Sequence, residues 1–102
     1  MSRLLPNTAM YNRDFVSFGG INCAIYLSTL LYHYREWAVP EGWMPLNVEL
    51  IERITGLAPN YQHTARVALR KQGILRDGMA FDTPALWVNV AKLDELTGGD
   101  HA

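Results

Sequence analysis

The chain has 102 residues and a mass of 11.5 kDa, with 49% hydrophobic and 19% charged residues, a formal net charge of −1 and a pI near 6.3. Length gives one domain and composition a globular one, since a disordered chain carries fewer apolar residues and more net charge. The charge balance excludes a uniformly basic coat protein but leaves room for a local basic face. The single cysteine, Cys23, excludes an intramolecular disulfide framework and fits a reducing compartment; three scattered histidines give no zinc-ligand spacing. The longest apolar stretch, Ile21–Leu31, is broken by Asn22, Ser28 and Thr29 and is too short and too polar to span a bilayer. Arg3 is followed by no continuous apolar leader and no small-residue cleavage site. A soluble cytoplasmic protein without metal or cofactor is the expectation.

In chain order, residues 1–19 read as an irregular arm with a short helical piece near Asp14–Phe18 and a turn at Gly19-Gly20. Residues 21–37 contain neither Pro nor Gly, and Ala24, Leu27, Leu31 and Tyr34 form a stripe widened by Ile25, Leu30 and Tyr32, which predicts one long buried helix closed by Pro40 and Gly42. Trp43–Leu46 is a short apolar piece that Pro45 confines to a sheet edge or end. Asn47 is an N-cap for a helix over Val48–Thr55, with Leu50, Ile51 and Ile54 inward and Gly56 as its stop. After Leu57-Ala58, Pro59 opens a third helix running through Gln72, with Tyr61, Ala65, Ala68 and Leu69 on one face and Gly73 at its end. Ile74–Arg76 and Ala85–Val90 read as strands, with a turn signal at Asp77-Gly78 and a loop signal at Asp82-Thr83-Pro84. Lys92–Leu96 forms one or two helical turns. The division is an arm over 1–19, a folded domain over 20–97 and a tail over 98–102.

Two helices joined by about three residues with Gly in the turn are a helix-turn-helix candidate, and a hairpin directly after the second makes it winged. The fold class expected is mainly α with a small β-hairpin (α+β). AIYLSTLLYHYRE (Ala24–Glu36), GWMPLNVELIERITGL (Gly42–Leu57), TARVALRKQGIL (Thr64–Leu75) and TPALWVNVAKLDEL (Thr83–Leu96), led in by YNRDFVSFGGIN (Tyr11–Asn22), carry a resemblance. The chain resembles the winged-helix domain of phage and plasmid replication-initiator, or replisome-organiser, proteins and related small phage proteins. Its diagnostic parts are the Leu-Tyr pair of the first helix, the Trp before the strand, the Thr-Gly-Leu turn and the Pro-Ala-Leu-Trp return strand. The resemblance implies a winged helix-turn-helix fold that binds double-stranded DNA.

Charge distribution points the same way. Pro59–Arg76 holds Arg66, Arg70, Lys71 and Arg76, four of the nine basic residues, and no acid. Arg66 and Arg70 are i, i+4 neighbours whose repulsion a polyanion would relieve. In the docking this implies, the N-terminal half of the third helix enters the major groove. Asn60, Gln62 and His63 would reach base edges, Arg66 would read guanine or hold a phosphate, and Arg70, Lys71 and Arg76 would contact phosphates. Tyr61 reads as partly buried beside Ala65. The wing departs from a basic DNA-reading pattern: Gly78–Asp82 has no Lys or Arg, and Asp77 and Asp82 are acidic.

No Walker loop, dinucleotide-binding glycines or triad spacing is present, so no catalytic residue is expected. His33 and Cys23 read as structural. Trp43 and Trp87 are expected to cover the sheet side of the core, and Trp37 to be exposed. Tyr26, Tyr32 and Tyr34 point in different directions around the first helix, which predicts a homodimer through that helix, the N-terminal arm or both, with two recognition helices for a palindromic site. The functional expectation is a small phage- or mobile-element-type regulator or replication accessory protein. The alternative is a protein-interaction module, an inhibitor or adaptor of a host complex, that keeps the fold without binding DNA.

Overall fold

Local capping chemistry divides the chain into short elements. In the computed structural model, residues 11–39 and 42–98 are described; the first ten residues of the arm, Pro40 of the helix stop and most of the tail lie outside them. A 3-10 helix, Arg13–Phe18, opens on Asn12, whose Oδ1 accepts from the Asp14 N–H at 2.9 Å. Helix α1 spans Ile21–Tyr32 and α2 Tyr34–Trp37. Strand β1 is Met44–Pro45, α3 Val48–Thr55, α4 Pro59–Lys71, β2 Leu75–Ala80, β3 Thr83–Val88 and α5 Val90–Leu96. The molecule is mainly helical with one small antiparallel sheet in the order β1-β3-β2.

The 3-10 helix is pinned to the body. Phe15 and Phe18 are buried, Asn12 N–H donates to Ser28 Oγ of α1 at 2.9 Å, and Gln72 Nε2 donates to Phe18 O. Gly19 permits this approach, because a Cβ there would meet Cys23 Sγ of α1 and Ala68 Cβ of α4.

The single helix expected over 21–37 is interrupted at His33, where φ −98° and ψ 8° end α1. Thr29 Oγ1 donates back to Ile25 O at 2.8 Å in the final turns of α1. The break sets the His33 ring flat on Trp37, with centroids 4.3 Å apart, and its Nδ1 2.9 Å from Glu36 Oε1. Trp37 is half-buried against the core rather than exposed.

Helices α3 and α4 form where the punctuation places them. Asn47 Oδ1 accepts from Leu50 N–H at 3.0 Å, and Gly56, at φ +80°, returns its N–H to Glu52 O at 2.7 Å. Pro59 starts α4 without costing a hydrogen bond. The core gathers Tyr26, Leu27 and Leu30 of α1, Ile51 of α3, Ala65 and Leu69 of α4, Leu75 of β2 and Leu86 and Val88 of β3.

In the sheet, Leu75 pairs with Val88 and Asp77 with Leu86, while Met44 pairs with Leu86 and Pro45 with Ala85. Pro45 stands on an edge strand, where its missing N–H breaks no ladder. The turn expected at Asp77-Gly78 is corrected: both residues lie inside β2, and the chain reverses at Phe81-Asp82, between Ala80 and its partner Thr83. Gly78 serves close packing there, because a Cβ would run into the Trp43 ring. Both turn residues have positive φ, +53° and +64°, the geometry that matches a two-residue connection to strand twist. Val90, read as strand, opens α5, because Asn89 Oδ1 caps it by accepting from Lys92 N–H at 3.0 Å.

The reason given for a dimer through α1 does not hold for most of that helix. The 3-10 helix, α3 and α4 of the same chain cover it, and Cys23, Ala24, Tyr26, Leu27 and Leu30 are buried without a partner molecule. Ile21 and Tyr32 are the large apolar side chains left exposed on it.

Candidate nucleic-acid interface

Helix α4 is held by a buried amide. Gln62 is 0% exposed, and its Nε2 donates to Leu57 O at 2.9 Å and to Val48 O at 3.0 Å. These carbonyls belong to the α3–α4 connection and the first turn of α3, so one side chain ties both helices to the bend between them. Its Oε1 is buried without a hydrogen-bond partner. Gln62 is therefore corrected from base-edge reader to internal clamp. The inward stripe of α4 is Gln62, Ala65 and Leu69. Tyr61, expected to be partly buried, is rotated outward and exposed.

That rotation sets the outward crest of the helix. Asn60, His63, Thr64 and Lys71 are exposed along it, with Val67 half-buried between them. Thr64 was not among the sequence candidates; its i+4 spacing from Asn60 places it on the same crest, where its Oγ1 donates to Asn60 O at 3.0 Å. No carboxylate belongs to α4.

Arg66 and Arg70 stand on one flank. Arg66 Nη1 donates to Tyr26 Oη at 3.1 Å, and its guanidinium lies 5.8 Å from the centroid of the Tyr26 ring. Arg66 is thus half-buried, reaching across to α1 rather than projecting from the crest. Burial pushes the Tyr26 phenol above its usual pKa, with the Arg66 hydrogen bond opposing that shift. Arg70 Nη1 reaches both carboxylate oxygens of Asp77, at 3.0 and 3.3 Å, so its charge is met by the hairpin. Arg76 of β2 is exposed, with its guanidinium 5.1 Å from the centroid of the Trp87 ring. Among the described residues Lys71 and Arg76 form no ion pair.

The structure thus brings Asn60, His63 and Lys71 onto one crest, puts Arg66 and Arg70 on its flank with partners of their own, leaves Arg76 on the neighbouring strand and turns Gln62 inside. The hairpin end is apolar and acidic: Met79 is 60% and Phe81 78% exposed, next to exposed Asp82. Cys23 is buried, which pushes its thiol pKa up and makes it a poor nucleophile. Among the described residues no group of three His, Cys, Asp or Glu side chains is placed to hold a metal, and no helix is long and apolar enough to cross a membrane. No family model, no curated protein and no solved structure matches the chain.

Proposed function

We propose that the chain is a winged helix-turn-helix protein of phage or mobile-element type that binds double-stranded DNA through α4, as a transcriptional regulator or replication accessory protein. The observation that carries this reading is the crest of α4: Asn60, His63, Thr64 and Lys71 point outward, and the helix bears no acid. The element order supports it too. Helix α1, strand β1, the α3–turn–α4 pair and the β2–β3 hairpin follow one another, and β1 pairs with β3, the connectivity of a winged helix.

With α4 in the major groove, Asn60 offers an amide suited to adenine and His63 a ring nitrogen for a base edge or a phosphate. Lys71, at the far end of the crest, and Arg76, on the strand beyond it, meet backbone phosphates and set register. The amide of Gln62 contributes by fixing the angle at which α4 leaves α3.

The test is an anisotropy titration of a labelled random duplex at two salt concentrations. Each phosphate contact adds about 0.9 to the log–log salt slope. Wild type is expected to bind with a steep slope, and the Lys71→Ala/Arg76→Ala double variant with a slope shallower by roughly 1–2. A wild type that ignores duplex at low salt, or a double variant indistinguishable from it, refutes the reading.

A second reading has one specific observation in its favour. A hairpin end that exposes Met79 and Phe81 beside Asp82, without Lys or Arg, suits contact with a protein better than contact with a polyanion. In that reading the chain is an inhibitor or adaptor that keeps the fold without binding DNA, and the same titration gives no binding at any salt.

A further inference from the structure

The flank of α4 occupied by Arg66 and Arg70 has the form of a phosphate seat that is already filled. An α-helix with its side chains is roughly 10–12 Å across, and the major groove of duplex DNA is about 12 Å wide. A helix lying in the groove therefore presents its crest to the bases and its flanks to the two phosphate backbones. On α4 the crest is Asn60, His63, Thr64 and Lys71, and one flank is Arg66 and Arg70. Arg66 is held in place by Tyr26, whose buried hydroxyl accepts from its Nη1 at 3.1 Å. One helical turn further on, Arg70 is held by a carboxylate, with Asp77 Oδ2 and Oδ1 at 3.0 and 3.3 Å from its Nη1.

The geometry points to Asp77 as an internal stand-in for a DNA phosphate: it occupies the Arg66–Arg70 flank of α4 and so restrains duplex binding. This inference rests on the DNA-binding reading of α4. A carboxylate and a phosphate offer a guanidinium the same thing, an anion with acceptor oxygens in a fork. The Arg70 and Asp77 side chains are 32% and 57% exposed, so water and salt reach the pair and a phosphate can displace the carboxylate. Asp77 comes from the hairpin, outside the acid-free run from Pro59 to Arg76, and sits opposite Leu86 on the sheet face turned to the core side. Displacement exchanges one charge-assisted partner of Arg70 for another. A duplex held to the crest by base contacts keeps its phosphate on the flank long enough to make that exchange, whereas a loosely held duplex meets one cation fewer.

The test compares wild type, Asp77→Asn, Arg70→Ala and the double variant by anisotropy, with a labelled random-sequence duplex between 50 and 200 mM salt. Asp77→Asn is expected to bind about threefold to tenfold more tightly at the low end, with a log–log slope steeper by about 0.9 for the added phosphate contact. That slope makes its affinity fall roughly 3.5-fold further than wild type across the salt range. In the Arg70→Ala background the Asp77→Asn change is expected to shift affinity less than about twofold, because the cation it releases is gone. Asp77→Ser repeats the test without an amide, and thermal melts followed by circular dichroism confirm that each variant is folded. A wild type that binds duplex with Asp77→Asn matching it in affinity and slope overturns the inference while leaving the DNA reading intact. An enhancement that persists without Arg70 overturns it as well, since the cause is then general charge. Absence of duplex binding by wild type and Asp77→Asn alike overturns the DNA reading and this inference together.

Discussion

Replacing Gln62 tests whether the α3–α4 bend is held by one buried amide. Leucine keeps most of the volume but removes both donors. Leu57 O accepts from Gln62 Nε2 and from no backbone N–H among the described residues, so leucine orphans it. A buried acceptor left without a partner costs about 1–3 kcal/mol, and the bond lost at Val48 O adds about 0.5–1.5 kcal/mol. Part of this is returned, because the unpartnered Oε1 atom disappears with the amide. A net loss of about 2 kcal/mol is expected for Gln62→Leu, which in a domain of this size lowers the melting temperature by roughly 8–16 °C. Urea unfolding is the assay, with a lower midpoint at unchanged slope as the expected form. Gln62→Glu adds a sign that packing alone does not produce. Burial disfavours the ionised carboxylate and raises its pKa above the unfolded value of about 4.3, so the variant keeps its full stability below about pH 4.3 and loses it as pH rises from there through the raised pKa. A Gln62→Leu protein as stable as wild type refutes the clamp and makes Gln62 a merely tolerated polar group.

At the hairpin, Phe81 holds φ +53°, a conformation that bulky residues resist. Phe81→Asn is expected to raise stability by about 0.5–1 kcal/mol in the same unfolding assay, since asparagine accepts the left-handed region and the ring is exposed. Gly78→Ala places a methyl group against the Trp43 ring and is expected to cost about 1–3 kcal/mol, with a change in tryptophan emission as the ring is displaced.

The elements that could be read in advance are those marked by side chains with a single local job. Asn47, Gly56, Pro59 and Gly73 bracket α3 and α4, and each takes its place because a cap, a left-handed residue or a missing N–H is needed there. The phase of α4 was harder to read, because the stripe Tyr61–Ala65–Ala68–Leu69 and the stripe Gln62–Ala65–Leu69 share two residues. Apolarity favours the first. The second is realised because Leu57 O in the tight connection needs a donor, and the Gln62 amide reaching back from α4 supplies one. A buried acceptor in a turn is a tertiary fact, and nothing in the spacing announces it. The hairpin misled for a related reason. Asp77-Gly78 has turn chemistry, yet Gly78 is needed beneath Trp43 and Asp77 beside Arg70. The actual turn, Phe81-Asp82, contains no glycine at all. The break at His33 carries neither Pro nor Gly and was invisible for that reason. Within the candidate site, the helical period of α4 carries the exposure of Asn60, His63 and Lys71, whereas the partners of Arg66 and Arg70 come from residues 40 and 7 positions away in the chain.

The central claim is that the crest of α4 is the surface that meets DNA. Amide chemical-shift mapping of the labelled protein, titrated with a random duplex at low salt, tests it most directly. The expected result is that the largest shifts fall on Asn60, His63, Thr64, Val67 and Lys71, and collapse when salt is raised. Shifts concentrated instead at Met79–Asp82, or a spectrum unmoved by duplex at any salt, would contradict it.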